Sequence, residues 1–373
     1  MKAHKKGSLA LVLCFALFLA LGLGLHLGLS DRAYSENENR YLAQKPKFTW
    51  KSLISGDFTA DFEAYITDQF PFRDAWLDLK SRSERYAGKT ENNGVFFCAE
   101  DTLISRFEAP PEADVSNAAE AVRTLAENTG LPVYLALVPS AAEVWAERLP
   151  KNADTADQSA LISEIYERCG VSTVDLCGAL NAHRDEALYY RTDHHWTTLG
   201  AYYGYAATAA ALGLVPQPLE GFEPTTVSTD FCGTVYSSSG VRWVEPDEIQ
   251  TFVDAPDVTL VRYDTPEGVL SPVYAEEKLD TKDQYSFFLG GNTSRLTVDT
   301  GHDGMKLLIL RDSYLDSELP FFFEHCSELD VLDLRYFRQS VAEYALERDF
   351  DAILVSYSLS DFVTDASVLL MGS

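Results

Sequence analysis

From Gly7 to Leu29 the chain carries no Asp, Glu, Lys or Arg, and its apolar run is interrupted only by Ser8, a few glycines and His26. That run reaches the length a bilayer-crossing helix needs, about 20 residues. Lys2, Lys5 and Lys6 precede it, and positive charge on a short flank keeps that flank in the cytoplasm, placing the chain after Ser30 outside. A cleaved signal peptide shares the basic start and apolar stretch, but the stretch is long for an h-region and no A-x-A site stands near Ser30. Length favours an uncleaved signal-anchor over residues 1–30. Cys14 is no lipobox cysteine, because apolar residues continue past it.

Residues 31–50 are polar and interrupted by Pro46, which reads as a tether. Residues 51–373 then read as one α/β domain. Phe58, Phe62, Tyr65 and Ile66 recur at helical spacing, Pro71 breaks the pattern, and Trp76 and Leu79 resume it. Such an aromatic stripe is read as core packing. "LPVYLALVPS" (131–140) predicts a buried strand, "DQSALISEIYERCG" (157–170) a helix stopped by Gly170, and "VSTVDL" (171–176) a second strand. An Ala-rich helix follows, with Thr197 or Thr198 as N-cap. Between about residues 215 and 300 the texture changes to Pro, Gly, Thr and Val in short alternating runs, an irregular β-rich insertion. Strand and helix patterns then return: a strand entering a helix over 306–314, a strand over 328–337, the helix "SVAEYALERDF", and a last strand "DAILVSYS". This alternation predicts a doubly wound parallel sheet with helices on both faces.

The net charge of −27 becomes −30 once the three anchor lysines are set aside. A surface so acidic repels nucleic acid and an anionic bilayer face, and suits solubility outside the cell. Beyond Cys14 there are five cysteines at irregular spacing. That pattern excludes a disulfide framework and a C-x-x-C metal site, leaving one or two bridges at most, with Cys169 and Cys177 the pair nearest in sequence.

In a doubly wound sheet, ligands bind beyond the carboxyl ends of the strands. One such end carries Asp312-Ser313, where "LLIL" gives way to a helix, and another leads to "YYRTDHHWTTLGAYYGY" (189–205). Ser313 at a strand-to-helix turn is a candidate nucleophile, with the N–H groups of Ser313 and Tyr314 as oxyanion donors. A hydroxyl needs a base, and the base an orienting carboxylate. Asp193 and His195, two apart in an extended or looped segment, present their side chains on one side, with His194 pointing away. The plainer alternatives are an N-capping serine and a polar turn with one buried histidine. A metal site would need Asp193 and the histidines joined by a ligand such as His183, Asp175 or His302, and no H-x-H or H-E-x-x-H spacing supports it. The tyrosines around the motif, with Trp196, suit sugar stacking and core packing equally.

"YYRTDHHWTTLGA", "ILRDSYLDSELPFF" and "LDVLDLRYF", together with "ITDQFPFRDAW" and "LVPSAAEVWAERLP", resemble the DHHW protein family, relatives of the alginate O-acetylation proteins AlgX and AlgJ with an SGNH-hydrolase-like domain. The resemblance runs from about Glu36 to the C-terminus. It implies a circularly permuted SGNH fold in which Ser313 is nucleophile, His195 general base and Asp193 its orienting carboxylate, with Trp196 as support. The serine here follows Arg311-Asp312 where the usual SGNH serine follows Gly-Asp, a departure that bears on the oxyanion hole. Asn292 in "GGN" is a candidate for the oxyanion-hole asparagine and equally a turn residue. Arg335 and Tyr336 lie at another strand end, where an arginine can hold a substrate carboxylate or one of this chain's own acids. The implied activity is O-acetyl transfer or removal on a cell-envelope polysaccharide, without cofactor or metal, with acetyl supplied through a membrane-bound O-acyltransferase partner. A non-catalytic glycan-binding or scaffold role is the alternative.

Overall fold

A computed structural model of the chain describes residues 2–255 and 258–372. Met1, at the head of the basic flank, and Pro256-Asp257, within the β-rich stretch, lie outside the described residues, as does Ser373. The chain divides into two compact units, one formed by residues up to Lys89 with Gly240–Arg242, the other by Thr90–Ser239 with Trp243 onward.

The first unit opens with the helix Lys2–Gly28, whose Leu11–Gly28 stretch is long and apolar enough to cross a membrane. Three more helices follow, Trp50–Ser55, Asp57–Asp68 and Arg73–Tyr86. Thr49 caps the first by accepting the Ser52 N–H, and Gly56, at φ 88°, ends it in the left-handed region that costs glycine little. The sequence 31–50, expected as a tether, is instead bonded to the helix Asp57–Asp68. Arg40 forks the Asp68 carboxylate at 2.8 and 2.6 Å, and the Ala43 N–H donates to the same group at 2.8 Å. A bidentate guanidinium–carboxylate pair fixes orientation as well as distance. The expected aromatic core is also corrected: Tyr65 is buried, but Phe62, Trp76 and Leu79 are exposed. The short helices of this unit and its two-residue strands Tyr34–Ser35 and Arg40–Tyr41 leave them open to solvent.

The second unit is built on an eight-stranded sheet. Five strands run parallel, in the order Cys326–Leu332, Met305–Arg311, Ala352–Ser358, Val133–Val138 and Ser172–Val174. Three more, Arg295–Asp299, Thr259–Arg262 and Val269–Ser271, extend the Cys326 edge in antiparallel register. The sheet is therefore mixed rather than wholly parallel. The β-rich stretch supplies those three strands because Arg295–Asp299 pairs residue for residue with Leu332 back to Glu328.

Alternation along the strands sorts side chains to two faces. Leu307 and Ile309 pack with Trp145, Trp196 and Tyr205 on one face, while Leu308 and Leu310 pack with Val122, Leu125 and Ile165 on the other. The helices Glu112–Thr129 and Gln158–Cys169 cover the second face and Thr198–Ala211 the first. No disulfide joins Cys169 to Cys177 among the described residues.

Leu354, in the strand Ala352–Ser358, is fully buried. Leu354→Ala leaves a cavity between sheet and helix and is expected to cost about 2–5 kcal/mol. Urea unfolding of the full chain in detergent micelles, followed by circular dichroism, checks this; a loss below about 1 kcal/mol would mean that the layer collapses to fill the hole.

Candidate active site

The segment around Asp193 is a tight loop whose ends meet. Tyr189 bridges Trp196 in antiparallel fashion, and the Tyr190 N–H donates to the His195 carbonyl at 3.2 Å. Thr197 then caps the helix Thr198–Ala211 by accepting the Gly200 N–H. Inside the loop, the buried Asp247 carboxylate accepts the Thr192 hydroxyl at 2.6 Å, the Thr192 N–H at 2.8 Å and the Arg191 N–H at 3.2 Å. The β-rich stretch thus braces the loop.

Asp193 is buried and fully bonded. Its Oδ1 accepts the His195 N–H at 3.1 Å and lies 2.5 Å from His195 Nδ1; its Oδ2 accepts the Thr234 N–H at 2.6 Å and hydroxyl at 2.9 Å. Gly233 makes this approach possible, because a Cβ there would stand 2.1 Å from Asp193 Oδ2. On the far edge of the imidazole, His195 Nε2 lies 2.8 Å from Ser313 Oγ. With Nδ1–H donated to the carboxylate, Nε2 carries a lone pair able to accept a proton from the serine hydroxyl. Ser313 itself is partly exposed, so a substrate carbonyl can reach it.

Ser313 sits in the turn between the strand Met305–Arg311 and the short helix Leu315–Glu318. Asp312 holds that turn: one carboxylate oxygen accepts the Tyr314 N–H at 3.0 Å and the other the Ser358 N–H at 2.7 Å. The Tyr314 N–H, expected as an oxyanion donor, is therefore already committed. The Ser313 N–H has no acceptor among the described residues. Burial, reinforced by the nearby Asp361 charge, pushes the Asp312 carboxyl up to about 6.

Tyr285 was not singled out by its sequence context. Its ring lies flat on His195, centroids 3.7 Å apart and planes 9° apart, and its hydroxyl donates to the Ser313 carbonyl at 3.2 Å. Nothing local marks Gly233, Thr234, Asp247 or Tyr285 for these roles, since each acts across at least 28 residues of chain. His194 does not point away. Its ring lies 3.9 Å from that of His195, and its Nδ1 is 2.8 Å from Thr234 Oγ1.

Trp196, considered as a substrate contact, is fully buried and donates its indole N–H to the Tyr314 carbonyl at 2.9 Å. It ties the loop to the serine turn from beneath. Tyr189, Tyr190 and Tyr202 are likewise buried, which assigns them to packing rather than sugar stacking. Tyr314 is buried with its hydroxyl on the His194 carbonyl. Arg311 is buried beside Asp316 at 3.1 Å and donates to Asn292 Oδ1 at 3.2 Å. Arg335 forks Asp333 at 2.9 and 2.7 Å and donates to the same Asn292 oxygen at 3.2 Å. Of the two partners considered for Arg335, the chain's own acid holds it. Tyr336 is exposed.

Asp193, His194 and His195 bring possible ligand atoms within 4.8 Å of one another. Both nitrogens of His195 are engaged with Asp193 and Ser313, and a metal on either would break the chain of hydrogen bonds. His183 is bonded to Glu186, Asp175 caps a helix, and His302 faces Glu324, so none of them joins the group. A cleft of about 900 Å³ lined by Tyr189, Arg191, Phe222 and Asp247 has none of the three reactive residues in its wall.

The electrostatics keep the base neutral. Burial would raise the Asp193 carboxyl, but the two histidines beside it outweigh burial and hold it well below the usual carboxylate range. Burial, then the charge of His194, push the His195 imidazole down to about 4 against the pull of Asp193 and the more distant Asp283. Burial also acts to lower His194, but Asp193 wins there and its pKa is raised.

A mixed α/β sheet with serine, histidine and aspartate joined at its carboxyl edge defines an SGNH-hydrolase-like protein. The family model described as SGNH hydrolase-like domain, acetyltransferase AlgX, matches residues 92–284, just over half of the chain, and the chain belongs to that family. The matched region contains Asp193 and His195 and ends before Ser313. Among curated proteins, the chain is similar to the probable alginate O-acetylase AlgJ of Pseudomonas syringae pv. tomato, 26% identical over 182 residues, 46% of each chain. It is 25% identical over 159 residues to the protein of the same name in Pseudomonas aeruginosa. The chain spans about half the length of these relatives. Among solved structures, a DHHW family protein from Eubacterium siraeum is 26% identical with a TM-score of 0.67, over 75% of this chain and 95% of that one. Bacillus cereus PatB1, solved with a sulfonyl adduct, shares the fold at 15% identity and a TM-score of 0.62, over 75% of this chain and 98% of that one.

Two outcomes follow from the site. Gly233→Ala forces Asp193 off its bonds and is expected to slow the reaction of Ser313 with a sulfonyl fluoride by about 10²-fold or more, while circular dichroism stays unchanged; labelling at the wild-type rate would remove Asp193 from the serine's activation. Because the base works as neutral imidazole, wild-type labelling should fall only as pH drops through about 4, and His194→Gln, which removes a neighbouring positive charge, should move that midpoint upward. A wild-type midpoint near the ordinary histidine value of about 6.5 would contradict this.

Proposed function

We propose that this chain is a membrane-anchored, extracytoplasmic acyl-ester enzyme that transfers acetyl groups to, or removes them from, a cell-envelope polysaccharide through Ser313, His195 and Asp193. The carrying observation is the unbroken sequence of contacts from Ser313 Oγ through His195 to Asp193, 2.8 and 2.5 Å long. Acetyl chemistry and a polysaccharide substrate are carried over from the family and from the alginate O-acetylase relatives. The N-terminal apolar helix supports the anchor.

In this mechanism Ser313 Oγ attacks the acetyl carbonyl as its proton passes to His195 Nε2. Negative charge on the carbonyl oxygen is met by the Ser313 N–H, which has no other acceptor among the described residues. His195 returns the proton to the departing alcohol, leaving acetyl-serine. A second hydroxyl, from sugar or water, then gives its proton to His195, attacks the acyl carbon and releases Ser313. Asp193 holds the imidazole in the tautomer that both halves require, and Tyr285 fixes the plane of the ring. The acetyl donor belongs to a membrane-bound O-acyltransferase partner.

The full chain in detergent is tested on a chromogenic acetyl ester, with and without an acetylated donor and oligosaccharide acceptors. Ser313→Ala is expected to lower ester turnover by about 10⁴-fold or more, and a chelator to leave it unchanged. Turnover lost to the chelator would replace the triad by a metal site. A fully active Ser313→Ala would remove Ser313 as the nucleophile, and no turnover by any form would leave glycan binding or scaffolding as the role.

A further inference from the structure

The acidic character of this chain is not evenly spread. Between Asp31 and Lys89 there are ten basic and ten acidic side chains, so the whole excess of −30 lies beyond residue 89. Exposed apolar groups are distributed in the opposite way. Outside the Leu11–Gly28 stretch, twelve of the large hydrophobic side chains exposed among the described residues fall between Leu29 and Tyr86, and only six in the entire second unit. Contiguous apolar surface on this scale marks a site of interaction.

Part of that surface is ordered into a row. Rings touch in succession from His26, in the last turn of the N-terminal helix, to Tyr65 at 5.6 Å, Phe62 at 6.1 Å, Phe58 at 5.9 Å, Phe48 at 5.2 Å and Trp50 at 5.3 Å. The ring nearest the helix is buried and the outer end of the row is open: Tyr65 is 7% accessible, Phe62 42%, Phe58 half-buried, Phe48 52% and Trp50 71%. The end of the apolar helix is also bonded to the same helices. The Arg32 N–H donates to Gln69 Oε1 and Gln69 Nε2 to the Arg32 carbonyl, both at 2.9 Å, and Arg32 pairs with Asp74 at 2.8 Å. Where that helix leaves the bilayer, the helix Asp57–Asp68 is therefore held beside it.

We propose that Phe48, Trp50, Phe58 and Phe62 form a lipid-seated foot that lies in the interfacial layer of the membrane crossed by the N-terminal helix. This rests on the anchor reading above and extends it from a single crossing helix to a surface. The occupant is the bilayer because the row starts on the crossing helix itself. Aromatic side chains favour the headgroup boundary, and helices with one apolar side lie along it. The balanced charge of residues 31–89 removes the repulsion from anionic lipid that the rest of the chain would meet.

The full chain is reconstituted in phosphatidylcholine vesicles brominated on the acyl chains near the headgroup, and floated on a density gradient. Tryptophan fluorescence is then compared for wild type and Trp50→Phe, a change that keeps a ring in the row. Flotation with a bromine-quenched component that Trp50→Phe abolishes, shielded from aqueous acrylamide, is the expected result. Flotation with equal bromine quenching in both proteins, or with Trp50 open to acrylamide, would overturn the foot and leave the anchor standing. Protein that stays at the bottom of the gradient would overturn the anchor and the foot together. Phe62→Leu, which keeps apolar bulk but breaks the ring contacts, is expected to retain the Trp50 component, and its loss there would assign the row to internal packing.

Discussion

Everything at the site depends on one buried negative charge. A carboxylate removed from water is costly unless each oxygen is met by donors, and Asp193 receives four contacts from two segments of chain. Two come from His195, which fixes the ring; two come from Thr234, which fixes the carboxylate against the ring. The close passage of Gly233 makes the arrangement specific to a residue without Cβ. The carboxylate orients the imidazole without keeping it protonated, because burial and the neighbouring charge of His194 outweigh its pull and hold His195 neutral down to about pH 4.

The serine side meets the same constraint by a different route. Ser313 follows a strand buried from Leu307 to Arg311, and the charged residues around its turn are paired inward: Asp312 with two backbone N–H groups, Arg311 with Asp316, Arg335 with Asp333. Burial pushes Asp316 up to about 7, so this acid is partly neutral near pH 7 and relieves some of the charge that so acidic a chain packs beneath its sheet. Asn292 receives both arginines on one oxygen, which ties the antiparallel side of the sheet to the serine strand. Arg311, standing where the usual SGNH motif has glycine, thus acts as a strut beneath the turn.

The strands and helices of the sheet could be read from sequence because each carries its own period of apolar residues, as in "KLLILR" and "DAILVSYS". Asp193, His195 and Ser313 were legible because strand ends concentrate chemistry in this architecture. The buttresses were not. Gly233, Thr234, Asp247 and Tyr285 look like ordinary turn and strand residues, and their roles exist only once segments at least 28 residues apart are brought together. The mixed sheet was hidden for a related reason: an antiparallel strand such as Arg295–Asp299 alternates no differently whether it joins the main sheet or a separate one. The inward position of Trp196 and of the tyrosines beside it depends on how closely Gly200 and Gly204 let their helix approach the loop, a fact of packing rather than of pattern.

On the proposed mechanism, transfer and hydrolysis of acetyl differ in which hydroxyl reaches the acyl-serine first. Water can, because Ser313 is partly exposed. A sugar hydroxyl competes only if the glycan is held so that its effective concentration exceeds that of water, and correct placement can supply this by many orders of magnitude. The groups positioned to hold it must therefore lie outside the triad, and those close to the serine turn are already turned inward: Trp196 and Tyr314 are buried, and Arg335 is engaged by Asp333. On the proposed reaction, selection of acceptor over water then falls to the exposed rim, to which His194 belongs, and to the partner that would bring donor and glycan to it. The chemistry needs only three residues; the outcome is decided by what those residues are presented with.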